Sequence, residues 1–281
     1  MKIISSLKRM QLLSRALRAR HKRIGFVATM GALHQGHLRL LRMARRENDV
    51  VVASIFVNPI QFGPSEDFKR YPRDLKRDSF LCRKEGVDII FKPLVRAIYP
   101  DGYKTYVYVE GLSEELCGKF RKEHFRGITT IVAKLLNIVS PDIAYFGRKD
   151  AQQAIIIKKM VKDLNMPFTI KVIPTLRGPG GLALSSRNIY LSKKEQSDAL
   201  VLSQSLSVAK SLVKKGLKDT SRIINKMRQL IKKKRSARIE YIAIVDPKEL
   251  HPLKRVIEGA LISLAVRIGK TRLIDNITIK L

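Results

Sequence analysis

Between residues 25 and 174, apolar runs and segments of helical period take turns, and that alternation admits few architectures. GFVATM (25–30) reads as a buried strand, and HLRLLRMARRE (37–47) as the helix that follows it. DVVVASIFV (49–57), VDIIF (87–91), DIAYFG (142–147) and FTIKVIP (168–174) read as further strands. Helical patterns at 74–86, 125–139 and 150–164 lie between strands; Gly86 closes the first and Pro141 follows the second. Valine-rich runs of this kind mark strands buried on both faces, as in a parallel sheet covered by helices. The expected fold class is α/β: a doubly wound parallel sheet of Rossmann-like form.

After residue 175 the pattern changes. LRGPGGLALSSRN (176–188) is a glycine-rich loop, and two mostly polar helices follow at about 193–214 and 219–234. IEYIAIV (239–245), GALISLAVRI (259–268) and TRLIDNITI (271–279) then read as a strand meander. Helices followed by a meander make a smaller C-terminal α+β domain. The expected division is 1–176 and 177–281.

The first twenty residues are basic, amphipathic and free of acids, as an organelle transit peptide is. A first surface helix has the same look, with Ile4, Leu7, Met10, Leu13 and Leu17 on one face. The helix is the expectation, because a strand starting near Gly25 leaves no spacer in which to cut.

Lys and Arg number 56 against 24 Asp and Glu, a formal net charge of +32. Either a polyanion partner or a cell whose proteins are generally basic accounts for it. The densest basic run, KKKR at 232–235, has no interleaved aromatics on which bases would stack, so no specific nucleic-acid partner is expected. No apolar run approaches the roughly 20 residues of a membrane span. Cys82 and Cys117 have neither metal-type spacing nor a disulfide framework, which fits a reducing cytoplasm.

Ligands of a doubly wound sheet bind beyond the carboxyl ends of its strands. TMGALHQGH (29–37) stands at such an end, and it holds two of the chain's five histidines, His34 and His37. Gly31 permits a tight turn, and Gly36 would let backbone approach a ligand. His37 falls in the first helical turn, where free N–H groups favour an anion. Two imidazoles at this spacing can reach one phosphate chain; they can equally be half of a metal site or serve structure alone.

HQGH (34–37) resembles the HIGH motif of the nucleotidyltransferase superfamily, and LSSRN (184–188) lies where that superfamily has a KMSKS-like loop, with Arg187 where a lysine often stands. SIFVNPIQF (54–62), RYPRD (70–74), HFRGITTIVAKLLNIVSPDIAYFGRKDAQQ (124–153), GLALSSRN (181–188) and TRLIDNITI (271–279) resemble the pantothenate synthetases, the pantoate–β-alanine ligases. The resemblance runs from the first strand to the last. It implies ATP-dependent joining of (R)-pantoate to β-alanine through a pantoyl-adenylate, with release of pyrophosphate and AMP. It also implies that 1–176 binds nucleotide and pantoate, and that 177–281 acts as a lid.

The resemblance further implies residue roles. Met30, Gly31, Ala32, Leu33, His34, Gln35, Gly36 and His37 would hold ATP, with His37 as proton donor and His34 steadying the phosphates. Gly147, Arg148, Lys149 and Asp150 would form a second nucleotide segment, Lys149 acting as a point charge over the α-phosphate. Leu176 and Leu184 would line the nucleotide pocket, and Ser185, Ser186 and Arg187 would meet the phosphates. Gln61 and Gln153 would bind pantoate, since an amide both donates and accepts; on the residues alone, each can equally cap a loop or face solvent. Mg²⁺ would arrive with ATP, bound through phosphates and water rather than by a protein ligand set. A cytoplasmic homodimer is implied as well. Without the resemblance, two other readings stand: another adenylyl- or cytidylyltransferase, or a basic nucleic-acid-binding protein.

The chain departs from the family pattern in four places. Ala28 replaces a proline before TMG, which should loosen that loop. Arg148 replaces an acid beside Lys149. Gly180 replaces an aspartate before GLA, removing a loop anchor. The acidic stretch after YPR, sometimes assigned to Mg²⁺, is basic here and keeps only Asp74 and Asp78.

Overall fold

The computed structural model describes residues 1–64 and 66–281. Six strands pair in parallel: β1 (Lys2–Ile4), β2 (Ile24–Thr29), β3 (Val50–Ile55), β4 (Ile89–Phe91), β5 (Ile143–Gly147) and β6 (Thr169–Ile173), in the order β1-β4-β3-β2-β5-β6. Strand order reverses between β2 and β5, which lie side by side. That crevice is where a doubly wound sheet receives its ligand.

The helices are α1 (Leu7–Ala19), α2 (Gln35–Glu47), α3 (Leu75–Lys84), the short α4 (Val95–Ile98), α5 (His124–Val139) and α6 (Ala151–Asp163). In α2, Leu38, Leu41 and Ala44 recur every three or four residues and are buried. They meet Val27, Val51, Ala53 and Ile90 of the sheet. Burying each leucine contributes about 1.5–3 kcal/mol. The helix α5 is buried on nearly every face, and its run ITTIVAKLLNIV carries few charges as a result.

The sheet has one strand more than the sequence leads one to expect. The run MKII is too short to stand out as a strand, yet Ile4 pairs with Phe91 at the sheet edge. Ile4 therefore belongs to β1 and not to the face of α1. The helix begins after Ser6, whose hydroxyl accepts from Arg9 N at 3.2 Å, and it buries Met10 and Ser14.

The chain forms two compact units. One comprises Met1–Ser113, Arg121–Arg148 and Ile156–Pro174; the other comprises Glu114–Phe120, Lys149–Ile155 and Thr175–Leu281. The second unit contains α7 (Lys193–Lys214), α8 (Thr220–Lys232) and an antiparallel meander of β7 (Ala237–Val245), β8 (Leu261–Ile268) and β9 (Thr271–Thr278). A capping box opens α7: Glu195 N donates to Ser192 Oγ at 3.3 Å, and Ser192 N donates to the Glu195 carboxylate at 2.9 Å. Leu202, Leu206, Ile223 and Met227 of the two helices pack on Ile262, Leu264 and Val266 of the central strand.

A polar network lies within the first unit. The Tyr145 ring is fully buried; its hydroxyl donates to Glu47 at 2.7 Å and accepts from Asn48 Nδ2 at 2.7 Å. Lys171 pairs with the same Glu47 carboxylate. The bond from Lys171, then that from Tyr145, holds the Glu47 carboxyl below its ordinary value of 4.5. Its contribution to stability is thus present above that value and lost as pH falls through the depressed one. Glu47→Gln should lower Tm by about 1–3 °C at pH 7, a difference that closes as pH falls through the depressed value. Melts across pH check this; an equal difference at every pH would contradict it.

Candidate active site

The loop leaving β2 is shaped by a carboxylate from α3. Asp78, 1% exposed, accepts from Ala32 N at 2.9 Å and from Leu33 N at 2.8 Å. Arg77 of the same helix donates to Leu33 O at 3.0 Å, so Leu33 is gripped through both its N–H and its carbonyl. Thr29 Oγ1 donates to Ser54 O at 2.7 Å and accepts from Gly31 N at 3.1 Å. Gly31 has φ +83°, and a Cβ there would lie 2.8 Å from Asp78 Oδ2. Even Ala32 is held at positive φ, +50°. Burial pushes the Asp78 carboxyl upward, against the two N–H bonds that pull it down. Asp74 caps α3, accepting from Arg77 N at 2.9 Å. Both acids left from the stretch after YPR are thereby engaged by backbone.

His34 and His37 form a capping box at the start of α2. His34 Nδ1 accepts from Gly36 N at 3.1 Å, and His37 Nδ1 accepts from His34 N at 3.4 Å. The ring centroids are 4.1 Å apart. With both Nδ1 atoms accepting, the neutral tautomer of each ring carries its proton on Nε2. One nitrogen of each ring thus builds the turn, and the other carries the ring's proton. Gly36 also has a use inside the turn. A Cβ there would strike the His34 ring at 2.8 Å, so the glycine makes room for a histidine. Met30 and Ala32 are half-buried beside buried Leu33, and Gln35 is exposed.

Gln61 ends a 3-10 turn, Pro59–Gln61, after β3. Its Oε1 accepts from Asn58 Nδ2 at 3.0 Å, and its Nε2 approaches Met30 Sδ at 3.2 Å. Asn58 is buried; it also donates to Gly127 O at 3.0 Å and accepts from Tyr99 OH at 2.8 Å. His124 Nδ1 donates to Gln61 O at 2.8 Å, and Arg121, paired with Glu66, donates to the other ring nitrogen at 2.6 Å. Met30 and Gln61, far apart in sequence, are thus brought together.

Gly147 ends β5, beside β2, and Arg148 opens the 3-10 turn that follows it. In the second unit, Lys149 Nζ lies 3.4 Å from Asp150 Oδ1. Gln153 is half-buried on α6, next to Gln152, whose side chain bonds Cys117 N at 3.0 Å and Glu115 O at 2.6 Å. The 176–188 segment is tied across its base: Leu184 N donates to Leu176 O at 3.1 Å. Ser185 Oγ accepts from Arg187 N at 3.3 Å and caps the short turn Ser186–Tyr190. Gly180, at φ +75°, packs on Leu200. Arg177 anchors the loop, donating to Gly181 O at 2.9 Å while paired with Asp275.

Asp78, Asn58, Gly127 and Arg177 are the residues that sequence reasoning did not assign to the site. Among the described residues no three His, Cys, Asp or Glu side chains gather as a metal cluster. No helix among them is long and apolar enough to cross a membrane.

A parallel sheet whose strand order reverses beside β2, with an H-x-x-H helix start after that strand, makes this a Rossmann-like α/β protein. The comparisons narrow the class. A family model described as Pantoate-beta-alanine ligase matches residues 2–278. A pantothenate synthetase of Acetivibrio thermocellus is 51% identical over 280 residues, covering 100% of both chains. The crystal structure of pantothenate synthetase from Thermus thermophilus matches with TM-score 0.94 and 42% identity over 100% of each chain. Pantoate-beta-alanine ligase from Francisella tularensis, complexed with beta-gamma ATP and β-alanine, matches with TM-score 0.81 and 36% identity over 99% of this chain and 97% of that one. The chain belongs to the pantoate–β-alanine ligase family.

Gly127 lets α5 approach the Gln61 turn. A Cβ there would lie 2.5 Å from Ile60 O and 2.7 Å from Gln61 Cα, whereas a Cβ at Gly147 meets nothing within 4 Å. Overpacking against backbone costs about 1–3 kcal/mol. Gly127→Ala should therefore lower Tm by about 2–8 °C and displace Gln61, with Gly147→Ala within about 1 °C of wild type. Melting curves and a crystal structure of the first variant check this; equal Tm values for the two variants would contradict it.

Proposed function

We propose that this chain condenses pantoate with β-alanine, using ATP and releasing pyrophosphate and AMP. The observation that carries the reading is the capping-box pair His34–His37, which builds the turn after β2 through Nδ1 and keeps a proton on each Nε2. Family membership supports it, as does the relative bound to beta-gamma ATP and β-alanine.

In the first step a pantoate carboxylate oxygen attacks the α-phosphorus of ATP, and the bond to pyrophosphate breaks. Negative charge grows on the phosphate oxygens, and preorganised donors and cations stabilise it. His34 and His37 donate from Nε2 to those oxygens at the N-terminus of α2, where the helix dipole adds to them. His37 donates a hydrogen bond from Nε2 to the departing oxygen and stabilises the charge that develops there. Lys149 and Arg187 counter the remaining charge, and Ser185 and Ser186 bind phosphate oxygens. The N–H groups and side chains from Met30 to Gln35, with Gly147, Arg148, Asp150, Leu176 and Leu184, hold the nucleotide. Gln61 and Gln153 orient pantoate; with Oε1 accepting from Asn58 and one amide hydrogen turned to Met30 Sδ, the second hydrogen of Gln61 Nε2 would donate to the substrate. In the second step the β-alanine amine attacks the acyl carbon, the bond to AMP breaks, and the amine gives up a proton.

Mg²⁺, bound through the phosphates of ATP and water, would supply further charge neutralisation. The donor set fits that mode, since Asp74 and Asp78 are engaged by backbone N–H groups. The protein acts as a homodimer in the cytoplasm, in keeping with two free, buried cysteines.

AMP release should require ATP, pantoate and β-alanine together, and His37→Ala should cut kcat by about 10²–10⁴-fold while the protein stays folded. A coupled AMP assay reads both. AMP formation that ignores either acid, or an unchanged kcat in the variant, would overturn the reading.

A further inference from the structure

Asp275 and Asn276 are consecutive polar residues of β9, the last strand of its sheet, yet they are only 1% and 4% exposed. Neighbouring side chains of a strand leave opposite faces, so one strand serves two segments here. Asn276 Nδ2 donates to the carbonyl of Lys149 at 2.8 Å. Asp275 accepts the fork of Arg177 at 2.6 and 2.9 Å, and its Oδ1 also accepts from Asn276 N at 2.8 Å. Arg177 carries the link onward to Gly181 O. From there the loop runs through Ala183, whose carbonyl accepts from Asn188 at 3.2 Å, into Ser185–Arg187.

We propose that Asp275 and Asn276 are positioning residues for the phosphate-facing groups of this unit: Asn276 aims Lys149, and Asp275, through Arg177, sets the loop that bears Arg187. The proposal rests on the roles given to Lys149 and Arg187 above. Neither β9 residue touches a reacting atom. A lysine ammonium is a point charge on a flexible stem, so its aim depends on where its backbone is fixed. The Asn276 amide pins the Lys149 carbonyl, and Asp275 Oδ1 in turn accepts from the backbone N–H of Asn276. A buried carboxylate and amide would be costly without such partners, which explains why both side chains sit inside the strand bonded to the segments they hold.

The test is pyrophosphate exchange into ATP with pantoate present and β-alanine absent, which reports the first step alone. Asn276→Ala should slow exchange by about tenfold or more, since small misplacements of a catalytic charge carry costs of that order. In a Lys149→Ala background the same change should cost less than about twofold, because there is no ammonium left to aim. A loss that multiplies with that of Lys149→Ala, or no loss from Asn276→Ala alone, would overturn the proposal while leaving the role of Lys149 intact. If Lys149→Ala itself exchanges at the wild-type rate, the assignment of Lys149 fails and the proposal falls with it. Asn276→Ser, smaller and still polar, serves where the alanine variant does not fold, with the same two outcomes. Asp275→Asn, read against Arg187→Ala in the same cycle, tests the other half: a non-additive loss supports it and an additive one overturns it.

Discussion

Two backbone N–H groups, of Ala32 and Leu33, converge on one buried carboxylate, Asp78, and the first unit's site depends on that contact. The loop it shapes bends through positive φ at Gly31 and at Ala32, a conformation an alanine adopts only when its surroundings impose it. Burial raises the Asp78 pKa, so ionising it opposes folding above its ordinary value of 3.8. Part of the stability of the fold is spent to hold a loop in one form, as is usual where a backbone must be preorganised for a ligand. From that loop the chain enters α2 through the two histidines, and the apolar face of α2 fixes their position against the sheet.

The same device recurs in both units. Buried polar side chains staple backbone from a distance: Asn58 to the Gly127 carbonyl, Gln152 to Glu115 and Cys117, Asn276 to the Lys149 carbonyl. Each staple takes the place of water at a peptide group. Precision at the proposed catalytic groups thus comes from rigid elements behind them, while the groups themselves stand on loops and at helix starts.

Much of the fold is legible in the sequence because hydrophobic period is a local property. The runs at 25–30, 49–57 and 142–147 became β2, β3 and β5, and the meander after residue 237 appeared in the expected order. The strand β1 escaped notice because three residues carry no period. The glycine and histidine pattern of 29–37 is likewise a local signal, although the packing of Gly36 on the His34 ring needs coordinates to be seen. The supports could not be read, since they join residues far apart in sequence: Asp78 and Ala32 are 46 positions apart, and Asn276 and Lys149 are 127. Asp78 in particular looks like one more charge on a solvated helix, DLKRD, until its burial is known. Arg177 likewise anchors the loop through Asp275, a partner 98 positions away.

The most direct measurement is the affinity of wild type and Asp78→Asn for a non-hydrolysable ATP analogue, by calorimetry at pH 7. An amide in that place turns one donor toward a backbone N–H and loses a bond worth about 1–3 kcal/mol, so binding should weaken about tenfold while the variant stays folded. Equal affinity in the two proteins would show that the nucleotide does not use the loop that Asp78 shapes.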